Sequence, residues 1–296
     1  MNKKKKRMPI DRLLFIIVAL FPMFSHLLLF WLSSQIKGVM TAFTNYNTGE
    51  FSLWAFKEVV KIFTSSTSDL AIAFRNTLVY FSLGVLNMPL SLFMAYLLYK
   101  KVAGHKVIKI ILMLPGMIGG VMLPMIFQQM IMSNGIVVKF FATIGVELPT
   151  PLLMEHGTMV IALYGVLVGL GGSLPIWFGA MSRIPKDLLE YASLDGIGPW
   201  REFWNIVMPL IWPTFVTQMT FQLIGIFGAS GAVLLFTEGK YNTWTLSYWI
   251  YHIAITGNDN LYPVALALGL CMSAATIPIV LGGRWFMNKF GDEVQY

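Results

Sequence analysis

The sequence predicts an all-α polytopic membrane protein with six transmembrane helices. Of its 296 residues, 56% are apolar and only 12% are charged, which is far from the balance of a soluble domain. Six apolar segments reach the length of about 20 residues that a helix needs to cross the hydrocarbon core of a bilayer. None of these segments contains Asp, Glu, Lys or Arg.

The six predicted spans are separated by polar connections. The spans are 13–32, 77–99, 110–132, 158–181, 213–236 and 263–283. A further apolar stretch, 243–256, is short and rich in Trp and Tyr, so we expect it at the membrane interface and leave it outside the six. We divide the chain into residues 1–75, with a basic tail, the first span and an outer loop, and a membrane domain at 76–296.

The outer loop, about 33–75, contains the segment FSLWAFKEVVKIF before the polar run TSSTSD. The apolar spacing of that segment predicts a short amphipathic helix, either resting on the membrane surface or contacting a partner.

The distribution of positive charge predicts the orientation. If the N-terminus is cytoplasmic, fifteen of the 21 Lys and Arg residues lie on the inner side. Positive residues accumulate on the cytoplasmic side of membrane proteins, so we expect both termini and the connection between the fourth and fifth spans to be cytoplasmic. The same rule explains the net charge of +7 without a nucleic-acid partner.

Reactive and nucleotide-binding motifs are missing from the sequence. Its one cysteine, Cys271, has no intrachain partner, and its four histidines are scattered, so no disulfide, metal or catalytic cluster is predicted. There is no G-x-x-x-x-G-K-[ST] motif; the one Gly-Lys pair, Gly239-Lys240, is followed by Tyr241. A membrane enzyme therefore has little support.

The connection between the fourth and fifth spans reads EYASLDGIGPWREFWNIVMPL at 190–210. Helical spacing before Asp195 and Gly196, followed by a Gly-Pro pair, predicts a helix, a sharp turn and a second helix. Ala192 and Gly196 are small and four apart, so we expect a shallow surface on which another backbone can come close, with Glu190 and Asp195 beside it.

This connection resembles the signature loop of the permease subunits of bacterial ABC importers. The pattern E-x-A-x-x-D-G followed by F-W-x-I-x-x-P is most similar to the permeases for maltose, glycerol phosphate and multiple sugars. Tyr191 and Met208 depart from the residues usual in the family but leave the turn intact. The resemblance extends over about 60–296 through FRNTLVYF and KIILMLPGMIGGVMLPMIF. The residues that fill the signature pattern are Glu190, Ala192, Asp195, Gly196, Ile206 and Pro209.

The resemblance implies a multi-pass permease subunit of the bacterial cytoplasmic membrane, with 76–296 as the permease domain. Its signature loop would be a pair of coupling helices that dock on a separate ATPase and transmit its closure to the spans. The implied partners are a second, homologous permease, two ATPase subunits that bind ATP and Mg, and an extracytoplasmic solute-binding protein. The chain itself is expected to bind no cofactor and to be no enzyme.

The spans also favour one class of cargo. Because they contain no Asp, Glu, Lys or Arg, an ion-coupled secondary transporter is a weaker alternative, and a neutral sugar or oligosaccharide is favoured. Sugars bind to aromatic faces and to amide groups. Gln218 and Gln222 are four apart and share one helical face. The other candidates are Tyr164, Trp177, Gln128 and Gln129. Each of these groups could instead make interhelical hydrogen bonds, and glycines of the fourth span such as Gly171 are expected to allow close packing.

Overall fold

The computed structural model describes residues 10–45, 48–64, 69–149, 151–257 and 260–291. The KKKKR tail and most of the TSSTSD run lie outside these ranges. Within them the chain forms helices and turns, with one isolated antiparallel bridge between Thr44 and Phe51. The predicted all-helical class is therefore confirmed for the described part of the chain.

The helices follow the apolar segments of the sequence. In chain order they are α1 (Ile10–His26), α2 (Ser33–Ala42), α3 (Trp54–Thr64), α4 (Asp69–Tyr99), α5 (His105–Met117), α6 (Met122–Ile131), α7 (Ile136–Thr143), α8 (Leu152–Gly172), α9 (Leu174–Met181), α10 (Lys186–Leu194), α11 (Pro199–Glu202), α12 (Met208–Ile224), α13 (Val233–Phe236), α14 (Leu246–Thr256) and α15 (Tyr262–Phe290). Two π-helical turns, Leu27–Leu32 and Phe203–Val207, join α1 to α2 and α11 to α12.

Five helical stretches among the described residues are long and apolar enough to cross a membrane. They are Leu14–Ala42, Asp69–Tyr99, Met122–Thr143, Leu152–Met181 and Tyr262–Lys289. Four of these stretches contain most or all of a predicted span, namely the first, second, fourth and sixth spans. The remaining stretch, Met122–Thr143, overlaps the end of the third predicted span. The count of six spans and the orientation of the termini stay predictions.

Two predicted spans are interrupted. The fifth, 213–236, is not one continuous helix: α12 ends at Ile224, and turns lead to the short helix α13. Gly231 lies in this break with a φ of +54°, a conformation that favours glycine and is incompatible with a continuing right-handed helix. The third, 110–132, is broken by Gly119 and Gly120 between α5 and α6.

The N-terminal helical stretch extends to Ala42, ten residues beyond the predicted end of the first span. The hydroxyls of Ser33 and Ser34 donate hydrogen bonds to carbonyls one turn earlier, so these polar residues continue the helix instead of ending it. The predicted outer loop consequently begins after Ala42. Its amphipathic segment forms α3, which confirms that prediction.

The chain divides into two compact units. One comprises the described residues of Met1–Lys61 and Gly257–Leu270; in it the ring of Phe43 stacks on Phe51 with centroids 5.5 Å apart. The other comprises the described residues of Ile62–Thr256 and Cys271–Tyr296, and it holds every candidate functional residue. Its main apolar core is built from α4, α9 and the start of α12, around the fully buried Trp177. The predicted division at residue 75 stays a prediction.

Close contact between α5 and α8 depends on Gly171. A Cβ atom at this position would overlap the backbone carbonyl of Leu112, whereas a Cβ at the neighbouring Gly172 would meet nothing within 4 Å. Replacing either glycine by Ala raises helix propensity by a similar amount. Any difference in stability between the two variants therefore reports the overlap with Leu112. We expect Gly171→Ala to be less stable than Gly172→Ala by about 1–3 kcal/mol. Thermal unfolding of the two detergent-solubilised variants measures the difference; equal midpoints would contradict the close contact.

Candidate functional site: a polar cavity and a helical elbow

A polar cavity of about 310 Å³ lies between α4, α8, α9 and α12. It brings together three of the residues predicted to bind substrate, Trp177, Gln218 and Gln222. The polar groups that join them are Asn87, Ser91 and Ser173, and none of the lining residues is ionisable. The volume is at the lower end of the range for small-molecule sites.

Ser91 organises the buried wall of the cavity. Its hydroxyl accepts hydrogen bonds from the indole N–H of Trp177 at 3.0 Å and from the hydroxyl of Ser173 at 2.8 Å, and it donates to the Met88 carbonyl at 2.9 Å. Trp177 is fully buried and packs near the ring of Phe215. The tryptophan is therefore held in one orientation by its neighbours, as a preorganised wall requires.

Asn87 places an unused hydrogen-bond acceptor at the cavity. Its amide nitrogen donates to the Val166 carbonyl at 3.1 Å, while its side-chain oxygen Oδ1 is buried and has no partner within the described part of the chain. A buried polar atom without a partner costs free energy unless a ligand or water supplies the missing bond.

Gln218 and Gln222 line the cavity from one face of α12. Both side chains are half-buried, and neither amide has a hydrogen-bond partner among the described residues. The amide of Gln222 approaches Gly84 so closely that a Cβ atom there would overlap it. Each amide offers one acceptor oxygen and two N–H donors, which suits a hydroxyl-rich ligand.

The other three predicted substrate residues lie outside this cavity. Tyr164 is buried in an aromatic cluster, with ring centroids 5.3 Å from Phe127 and 5.1 Å from Phe236. Gln128 donates a hydrogen bond of 3.4 Å to the Phe236 carbonyl, and Gln129 is exposed. The structure thus places Tyr164 and Gln128 in packing roles; substrate binding by these three residues stays a prediction.

The signature connection folds into what we call the elbow, residues 186–209. It consists of α10, a turn, α11 and the π-helical turn into α12, so the predicted helix, turn and helix are confirmed. The turn is a Schellman motif: Ile197 N–H donates to the Ala192 carbonyl at 3.0 Å, and Gly196 N–H donates to Ser193 at 3.2 Å. Gly196 adopts a φ of +71°, the left-handed conformation that this motif needs.

The exposed face of the elbow is apolar and differs from the predicted one. Ala192 is 2% exposed, so it packs inward and does not form a shallow surface with the exposed Gly196. Large apolar side chains cover the exposed face instead, and Leu194 is 80% exposed. The others are Leu188, Tyr191, Trp200 and Trp204. Several large apolar side chains exposed on one short connection are typical of a site that contacts another protein.

The remaining signature residues take different positions on the elbow. Glu190 and Asp195 are exposed, the first on α10 and the second at its C-terminal cap. Ile206 is half-buried in the π-helical turn, and Pro209 is exposed in the first turn of α12. Exposed carboxylates beside apolar side chains can give a docking surface electrostatic specificity.

Asn87, Ser91 and Ser173 were not among the residues that the sequence singled out. A signal was present, because Asn87 and Ser91 are four apart in an otherwise apolar segment and share one helical face. Which neighbour that face meets depends on contacts between α4, α8 and α9, and helical periodicity carries no information about those contacts. Among the described residues no group of His, Cys, Asp or Glu could hold a metal ion.

Comparisons with known proteins identify transport permeases as relatives of the chain. The family described as "Binding-protein-dependent transport system inner membrane component" matches residues 88–292. The chain is 25% identical over 230 residues to the sn-glycerol-3-phosphate transport system permease protein UgpA of Yersinia enterocolitica, covering 76% of each chain. It is 24% identical to the multiple sugar-binding transport system permease protein MsmF of Streptococcus mutans, over 85% of this chain and 88% of that protein.

A solved structure shares the fold. A chain of a bacterial ABC transporter involved in the import of the acidic polysaccharide alginate superposes with a TM-score of 0.81 and 22% sequence identity. The match covers 96% of this chain and 98% of that one. With its apolar helices, the chain belongs to the family of binding-protein-dependent transport system inner membrane components, the permease subunits of bacterial ABC importers.

Proposed function

We propose that the chain is the permease subunit of an ATP-driven importer that translocates a neutral sugar or oligosaccharide delivered by an extracytoplasmic solute-binding protein. The observation that carries this proposal is the elbow, a capped pair of helices with an apolar exposed face that leads directly into α12. A rigid knob of this kind can transmit the movement of a docked protein to a transmembrane helix.

Energy for transport would come from separate subunits. The sequence has no phosphate-binding loop, so two partner ATPases would bind ATP and Mg and close around the elbow. Closure would move the elbow as a rigid body and switch the spans between inward-open and outward-open states. Docking requires the elbow to be cytoplasmic, as the distribution of Lys and Arg predicts.

The polar cavity supports the proposed cargo. Its unpaired glutamine amides match the hydroxyl groups of a sugar, and the absence of ionisable lining residues favours a neutral molecule. Curated relatives named for multiple sugars and for starch degradation products support a sugar as the cargo. A contact between the cargo and Gln129, which is exposed, would lie outside this cavity.

The complex would contain a second permease, homologous to this chain but different from it. The cavity is lined by four helices of one chain and opens to the surface, so a partner permease would supply the other half of the pore. Delivery by a binding protein is supported by a protein of this fold, the bacterial alginate ABC transporter solved in complex with an alginate pentasaccharide-bound periplasmic protein. Membrane lipids would cover the remaining apolar surface.

Uptake into proteoliposomes tests the proposed function. The chain is reconstituted with its partner permease, ATPase and binding protein, and labelled oligosaccharides are offered outside with ATP inside. We expect accumulation only when ATP and the ATPase are both present, because this chain cannot hydrolyse nucleotide. Uptake of the same size with an ion gradient and no ATPase would contradict the proposal and favour the ion-coupled alternative.

A further inference from the structure

A buried ion pair joins the elbow to the end of α4. The ammonium Nζ of Lys100 lies 3.0 Å from Oε2 of Glu202, whose side chain is only 3% exposed, while that of Lys100 is 32% exposed. The other oxygen, Glu202 Oε1, is buried without a partner among the described residues. Removing the lysine would leave a buried carboxylate without a counter-ion, which is far more costly than losing a surface pair.

Backbone motifs fix the lysine side of the ion pair. Lys100 follows the last residue of α4, and the next residue, Lys101, adopts a φ of +56°. Lys101 N–H donates to the Leu98 carbonyl and Val102 N–H donates to Leu97, which closes α4 with a Schellman motif. The backbone of Lys100 is thus held rigidly on α4, at the helix end that favours a positive charge.

Aromatic packing and one hydrogen bond fix the glutamate side. The Tyr96 hydroxyl donates to the Pro199 carbonyl at 2.9 Å, which ties α4 to the first residue of α11. The ring of Phe203 is 3% exposed and lies 5.1 Å from Tyr96 and 5.6 Å from Phe93. Glu202 and Phe203 are adjacent, so this packing holds the backbone that carries the carboxylate against α4.

Helix α4, which carries Tyr96 and ends beside Lys100, also forms one wall of the polar cavity. Asn87 and Ser91 line the cavity, and α4 continues without a break from Ser91 to Tyr99. Lys100 lies about 14 Å along the helix axis from Ser91, at 1.5 Å per residue. A movement of the elbow that carries Lys100 with it must therefore displace the cavity wall as well.

We propose that Lys100 and Glu202, supported by Tyr96, are positioning residues that make the elbow and α4 move as one body. The ion pair couples the ATPase-docking surface to the polar cavity through α4, in parallel with the direct connection through α12. The inference rests on the proposed function, since it concerns how movement of a docked partner reaches the site.

A double-mutant cycle in the reconstituted importer tests the ion pair. Lys100→Met, Glu202→Gln and the double variant are compared for cargo transported per ATP hydrolysed, with Lys101→Met as the matched control. Lys101 is the adjacent lysine, is exposed and has no ion pair among the described residues. We expect each single variant to lower the transport ratio about tenfold, within the range found for coupling through packed elements.

The double variant separates coupling from independent effects. If the two side chains act through each other, the double variant is no worse than the more damaging single variant. An unchanged ratio in the single variants, or losses that add in the double variant, would overturn the proposal. If either single variant fails to assemble with its partners, Tyr96→Phe decides, because it removes only a hydroxyl: a lowered ratio supports the inference and an unchanged ratio overturns it.

The wild-type importer distinguishes failure of the inference from failure of the proposed function. ATP-dependent uptake by wild type with normal ratios in all variants would refute only the role of the ion pair. Absence of ATP-dependent uptake by wild type would refute the function itself.

Discussion

Gly196→Val should abolish most ATP-dependent uptake while the protein still inserts into the membrane. The residue closes the Schellman motif at a φ of +71°, where an L-residue costs about 1–2 kcal/mol and a β-branched one more. There is open space around the position, so the cost arises from the backbone and not from a side-chain overlap. The second helix of the elbow would change direction, and we expect uptake to fall about tenfold or more.

A second glycine of the same turn provides the matched control. Gly198 has ordinary extended dihedrals, φ −67° and ψ 155°, and open space around a Cβ atom, so Gly198→Val can keep the turn. Uptake and pull-down of the ATPase subunits are measured for both variants. Equal uptake by Gly196→Val and wild type would show that the direction of the elbow does not matter for coupling.

The elbow was predictable because its signals are local. An apolar repeat of helical spacing, an Asp-Gly pair and a Gly-Pro pair are each interpretable from a few neighbouring residues, and they determined helix, turn and helix correctly. The inward orientation of Ala192 was not predictable, because it depends on packing against residues distant in the sequence. The same holds for Lys100 and Glu202, which are 102 residues apart and form their ion pair only in the fold.

In the transmembrane region, hydropathy alone does not predict where a helix is broken. Residues 213–236 contain no charged residue and are mostly apolar, so a window of hydrophobicity cannot detect the break after Ile224. In this stretch Gly231 occupies a left-handed turn, and a Cβ atom there would meet the Ile161 side chain at 2.7 Å. Conformation at a glycine depends on its tertiary neighbours and is not encoded by its own identity.

The sequence indicates only part of the cavity lining, because the spacing of residues along a helix does not show which neighbouring helix they face. Gln218 and Gln222 share a face by their spacing, and the structure places that face on the polar cavity. Tyr164 belongs to an equally apolar span, but it packs among aromatic rings instead. Spacing along one helix therefore identifies polar faces, while the choice of the face that lines the cavity comes from helix packing.

Gln222→Ala should raise the KM for uptake about tenfold with little change in transport per ATP, because one hydrogen bond to the cargo is lost. Gln222 has no hydrogen-bond partner among the described residues, so the substitution leaves no buried group of the protein newly unpaired. Gln218→Ala should behave similarly, since both amides lie on one face of α12. Initial rates of uptake across a range of cargo concentrations, with the binding protein saturating, measure the effect.

An exposed glutamine in α2 serves as the control for these substitutions. Gln35→Ala removes the same amide from a residue that does not line the polar cavity, so its KM should match that of wild type. We expect a defect in the elbow to lower the cargo transported per ATP hydrolysed, and a defect in the cavity to raise the KM for uptake. Measuring both quantities therefore separates the two roles. If Gln222→Ala leaves KM unchanged while Gly196→Val uncouples transport, the elbow retains its assigned role and the cargo must bind elsewhere.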